Sequence, residues 1–164
     1  MYEKEKNEKD VLYILEHLRP EDEHEARTQK GDNFKEIILE EIMSDKTRTY
    51  LGCKKSDDTP VVIGGYSDTN EEGIGVVWLL STPEIEKNKT CLLRNIIIAL
   101  EEIDGKYWFT YNILFSENRF AKKWLKKIGF KFDNPHPVGL NIPEGFEFFY
   151  RIRKTRGLGE ISYE

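Results

Sequence analysis

Asn118-Arg119-Phe120-Ala121-Lys122-Lys123-Trp124-Leu125-Lys126-Lys127-Ile128-Gly129-Phe130 is the stretch that decides the fold. Phe120, Ala121, Trp124, Leu125 and Ile128 recur three and four residues apart and so share one helix face, while the four lysines line the opposite side. Gly129 supplies the left-handed residue that ends a helix. Phe130 and Phe132 then alternate as strand residues do. A helix with one apolar face, followed at once by a strand, implies a sheet for that face to cover.

The elements around it follow from the same periodicities. Residues 107–114 read as a long apolar strand, with Ser116 as the cap of the helix just described. A helix over residues 90–103 carries Leu92, Leu93, Ile96, Ile97 and Leu100 on a broad apolar face and ends at Asp104-Gly105. Strands over residues 48–54, 61–66 and 74–80 are separated by the turn-rich runs 56–60 and 67–73, which predicts an antiparallel meander. Upstream, residues 11–15 read as a first strand. Arg19-Pro20-Glu21-Asp22-Glu23 opens a helix, with proline in the first turn and acids at the positive dipole end. Asn33 caps a second helix with an inner stripe of Phe34, Ile37, Ile38, Glu41 and Ile42. A last strand spans residues 146–152 after a loop rich in proline and glycine.

The length of 164 residues suits one domain, here residues 10–152, with a polar mobile arm at 1–9 and a tail at 153–164. A net charge of −5 argues against a general nucleic-acid binder, because phosphate neutralisation needs a concentrated basic surface and the lysines at 122–127 are only a local patch. Cys53 and Cys91 sit in apolar contexts and read as reduced thiols; His17, His24 and His136 are scattered, so no metal is expected. No apolar run approaches the roughly 18 residues of a membrane span, and the first residues do not form a secretory signal. The expected setting is a reducing cytoplasm or a particle assembled there.

Asn118, Ala121, Trp124, Gly129 and Phe130 also reproduce the pattern Asn-x-x-Ala-x-x-apolar-x-x-x-x-Gly-Phe, by which the chain resembles the GNAT acyltransferase domain from roughly residue 10 to 152. The resemblance implies an α+β fold: a mixed, mostly antiparallel twisted sheet flanked by about four helices. It also implies a V-shaped opening near residues 78–81 and 111–115, where an acyl-CoA lies in working enzymes. Their phosphate loop, Arg/Gln-x-x-Gly-x-Gly/Ala, corresponds here to Pro83-Glu84-Ile85-Glu86-Lys87-Asn88-Lys89-Thr90-Cys91. Glu86 takes the Arg/Gln position and Lys87 and Lys89 stand where glycines belong, so side chains obstruct the backbone approach to a pyrophosphate. Lys87, Lys89, Thr90 and Asn118 are cofactor contacts only if acyl-CoA binds; otherwise the run is a solvated turn.

The family's usual acid, a tyrosine seven residues after the helix asparagine, falls on Leu125, which cannot transfer a proton. Tyr111 faces the cleft only as a packing aromatic, the strand at 74–80 offers no carboxylate base, and Glu71 and Glu72 lie in a turn. No catalytic residue is assigned. Over residues 74–132 the lost glycine loop, the Trp-containing fourth strand and Lys-x-Ile-Gly-Phe-Lys-Phe resemble the GNAT-like proteins of podovirus-type tailed phages, some of them internal virion proteins. That resemblance implies a catalytically degenerate protein of a phage particle, without cofactor, meeting other structural proteins or copies of itself in the host cytoplasm or virion. The alternatives are an acetyl-CoA-dependent N-acetyltransferase with an atypical loop, and a small phage protein that binds a host target.

Overall fold

A continuous buried run from Pro60 to Gly64 gives the strand Pro60–Asp68 (β3) two buried faces, and it lies inside a single sheet. The computed structural model describes residues 1–44 and 47–154. In chain order the other elements are β1 (Tyr2–Lys4), α1 (Glu8–Glu16), α2 (Pro20–Lys30), α3 (Phe34–Met43), β2 (Thr47–Cys53), β4 (Ile74–Ser81), a 3-10 turn at Pro83–Lys87, α4 (Lys89–Lys106), β5 (Phe109–Phe115), α5 (Arg119–Lys127) and β6 (Phe146–Ile152). The strands lie in the order β1-β2-β3-β4-β5-β6. Every pairing is antiparallel except that of β4 with β5. The mixed, mostly antiparallel sheet and α+β class implied by the sequence are those observed.

Helices α1, α2 and α3 cover one face through a core of Val11, Ile14, Leu15, Phe34, Ile38 and Ile42 against Leu51, Ile63 and Leu80. Each such side chain, fully buried, contributes about 1.5–3 kcal/mol. Helices α4 and α5 cover the other face, where Leu100, Ile103, Ala121 and Leu125 meet Tyr66, Val77, Leu114 and Phe149. Polar side chains also fasten α4: the Tyr66 hydroxyl donates to Glu102 at 2.7 Å, Tyr50 donates to the same carboxylate, and Arg151 pairs with Asp104.

Several elements differ from the sequence reading. Residues 11–15 are helical, not a strand: Val11, Ile14 and Leu15 are buried at spacings of three and four, and Asn7 caps the helix by accepting from the Asp10 N–H at 2.9 Å. A short apolar run is compatible with either state, and the deciding cap lay in the segment read as an arm. That segment is not a free arm, because Tyr2–Lys4 pairs with β2 and Lys4 reaches Asp10 and Asp58 at 2.9 and 2.8 Å. In α3 Ile37 turns outward. Helix α4 runs through Gly105 to Lys106, and its Ile97 is exposed instead of facing the core. Asn118, not Ser116, caps α5, accepting from the Ala121 N–H at 3.3 Å. Gly129 does adopt the left-handed conformation at φ 97°, but beyond it only Lys131 pairs, with Tyr150. Of the expected tail, residues 155–164 lie outside the described residues.

Strands β4 and β5 pair only at Ile74↔Phe109, Gly75↔Thr110 and Val76↔Tyr111. Beyond that point the Asn112 side-chain amide spans the gap to the Val77 carbonyl at 2.8 Å, and the strands diverge. The V-shaped opening stands where the resemblance implied it. Gly65 holds one wall: a Cβ there would collide with the Arg48 carbonyl oxygen and approach the Trp78 ring at 3.1 Å. Gly65→Ala is expected to cost about 2 kcal/mol or more in urea denaturation, through strain between β2 and β3 and displacement of Trp78.

Candidate functional site

Helix α2 has no apolar stripe to bury, so the side it turns to the sheet is charged. Asp22 is 2% exposed and Glu25 9%, and Arg19, just before the helix, is equally enclosed. Charged groups are buried only where partners satisfy them, and the partners here are the ends of the two diverging strands.

On the β4 side, Asp22 Oδ2 accepts from the Ser81 N–H at 2.9 Å and from its hydroxyl at 2.8 Å, while the Ser81 carbonyl accepts from the Arg19 N–H at 2.9 Å. On the β5 side, Glu25 Oε1 accepts from the Phe115 N–H at 3.1 Å. Asn118 lies between and is 1% exposed. Its amide nitrogen donates to Glu25 at 2.8 Å and to Asp22 at 3.3 Å, and its oxygen accepts from Arg19 Nη2 at 3.2 Å as well as from Ala121. Arg19 completes the cluster 3.4 Å from Asp22 Oδ1, its guanidinium 4.8 Å from the Phe120 ring centre.

Two carboxylates share this enclosure with one guanidinium. Burial raises Asp22, but Arg19 and both Ser81 donors oppose the rise. Burial, with the adjacent Asp22 charge, raises Glu25 to about 7 against its donors Asn118 and Phe115. Both carboxyls are thus held above their ordinary values, and Glu25 keeps its proton to about pH 7.

A cavity of about 550 Å³ runs through the V, from Ile38 and Ile42 on one face, past Trp78 and Asn112, to Ile96 and Trp124 on the other. Asp22, Glu25 and Asn118 form part of its wall.

The residues singled out for a cofactor do not converge. Lys87 is exposed and pairs with Glu84 at 3.1 Å. Lys89 lies 5.7 Å from the Phe120 ring centre and Thr90 is exposed, whereas Asn118 is enclosed in the polar cluster. Leu125 is a core residue, and Tyr111 packs between the rings of Phe109 and Phe148. Glu71 and Glu72 are exposed in their turn. Cys53 and Cys91 are free thiols. Among the described residues no group of three or more His, Cys, Asp or Glu side chains is arranged to hold a metal ion, and no helix is long and apolar enough to cross a membrane. Arg19, Asp22 and Glu25 escaped the sequence reading because acids early in a helix also suit its dipole. Their spacing of three was the available signal, in a helix that buries no apolar residue larger than alanine.

No protein-family model and no curated protein sequence matches the chain. Solved structures do. An acetyltransferase of the GNAT family from Streptococcus pneumoniae superposes with a TM-score of 0.64 at 17% identity, covering 93% of this chain and 99% of that one. Aminoglycoside 6'-acetyltransferase type Ii gives 0.68 at 15% identity, covering 95% and 99%. Tetrahymena GCN5 gives 0.60 at 12%, covering 92% and 91%. The chain has the GNAT fold.

The resemblance implied an acyl-CoA in the V, but the glycine cradle it would meet after β4 is absent from this chain. The N–H and carbonyl of Ser81, at the wide end of β4, are already bonded within the protein. The turn after β4 is a 3-10 helix bearing Glu84 and Glu86 in place of a glycine cradle, and Glu86 lies 3.8 Å from Arg19.

The Glu25 proton has a measurable consequence. Unfolded, the carboxyl ionises near its ordinary value of 4.5, whereas folded it keeps the proton to about pH 7. Its contribution to stability is therefore full below the unfolded value and declines as pH rises towards the folded one. Glu25→Gln removes that decline. In urea denaturation the variant should match the native protein near pH 4 and exceed it at pH 8, by on the order of 3 kcal/mol. Parallel pH curves would exclude a protonated Glu25.

Proposed function

We propose that this GNAT-fold protein is catalytically silent and serves as a structural or assembly component of a tailed-phage particle. The observation that carries the reading is the polar cluster of Arg19, Asp22, Glu25 and Asn118, which engages the Ser81 and Phe115 N–H groups at the ends of the diverging strands. Leu125 in the core, at the position of the family's acid, agrees with it. The assignment to a particle comes from the resemblance of residues 74–132 to phage GNAT-like proteins. Partners in this role are other structural proteins of the particle and further copies of the chain, met in the host cytoplasm or the virion.

A second reading, an N-acetyltransferase using acetyl-CoA through an atypical loop, is favoured by one observation: the cavity through the V is of ligand size. Calorimetry separates the two. The proposal expects no acetyl-CoA binding tighter than about 1 mM, and a micromolar dissociation constant would reject it. If binding were found, Lys87→Glu combined with Lys89→Glu should weaken it, and unchanged affinity would remove those lysines from the site. Mass spectrometry of purified virions tests the particle role directly: the protein is expected among the virion components, and its absence there refutes that role.

A further inference from the structure

Helix α4 faces the sheet with Leu92, Leu100 and Ile103, so the residues turned away from the sheet should be polar. They are not uniformly so. Ile97 is 56% exposed and Ile98 64%, adjacent at the middle of the helix. One turn before them stands Arg94 and one turn after them Glu101, both exposed. Positions 94, 97, 98 and 101 follow the i, i+3, i+4, i+7 spacing of a single helix stripe.

The charges on this stripe differ from the others on α4. Glu102 bonds to two tyrosines, Asp104 pairs with Arg151, and Lys106 lies 2.9 Å from Asp68. Among the described residues Arg94 and Glu101 form no ion pair or side-chain hydrogen bond. Two turns apart on one helix, they are too distant to neutralise each other.

We infer that α4 pairs with α4 of a second copy of this chain, antiparallel, about a twofold axis between Ile97 and Ile98. In that arrangement Ile97 of each chain meets Ile98 of the other, and Arg94 of each meets Glu101 of the other. The same operation sets Thr90 opposite Gly105. Both are exposed and small, and a Cβ at Gly105 would meet no atom within 4 Å, so the helix ends are clear for close approach. A twofold contact is self-complementary, and one apolar pair bracketed by opposite charges meets that requirement with a single helix. The antiparallel direction is set by the charges, since parallel pairing would oppose Arg94 to Arg94 and Glu101 to Glu101.

Sedimentation of the full chain tests this. The native protein is expected to be dimeric at about 100 µM and to dissociate on dilution, as suits a small interface. Ile97→Glu with Ile98→Glu should give a monomer with an unchanged circular dichroism spectrum. Arg94→Glu should weaken the dimer about tenfold, and adding Glu101→Arg in the same chain should restore it to within about threefold, because the swapped charges again oppose. A native chain that is monomeric at every concentration overturns the inference and leaves the face to a different partner. A dimer that survives the isoleucine substitutions, or a charge swap without rescue, overturns it equally. The readout is oligomeric state alone, so this failure is separate from failure of the virion or acetyl-CoA test.

Discussion

The polar cluster on α2 is the constraint that the rest of the structure accommodates. Two parallel strands that part company leave unpaired N–H and carbonyl groups at their ends, and such groups cannot stay buried without partners. Asp22 and Glu25 supply acceptors on either side, Asn118 joins them, and Arg19 pairs with Asp22. Removing any one member leaves the others enclosed and unsatisfied, a condition more costly than never having buried them. The cluster also links elements far apart in the chain, since α2 is tied to residues 81, 115 and 118.

A scaffold and a cofactor site make different demands on a sequence. Helices and sheet rest on packing and on strand pairing, and buried apolar clusters form on both faces here. Cofactor binding rests on a few open backbone donors and a bare loop, and in this chain those positions carry Lys87, Lys89 and an engaged Ser81.

Between residues 48 and 152 the fold was legible because the turn-rich runs 56–60 and 67–73 bound apolar strands and spacings of three and four mark α5. The N-terminal third was harder. Val-Leu-Tyr-Ile-Leu at 11–15 suits a strand by composition and became a helix through the Asn7 cap and packing against α3 and the sheet. The outward turn of Ile97 was hidden too, because α4 has more apolar positions than one face requires. The site was only half visible: the missing glycines and the Leu125 substitution are linear facts, but the meeting of Asp22, Glu25 and Asn118 exists only once α2 lies across the strands.

The strict succession of strands across the sheet bears on how the molecule is made. Each new strand needs only its immediate predecessor as a template, so the sheet can extend from one edge while the ribosome is still at work. Asp22 and Glu25 emerge early and have to wait, solvated, for residues 115 and 118. Glu25 therefore gains its partners only once β5 has been made, with β6 still to come.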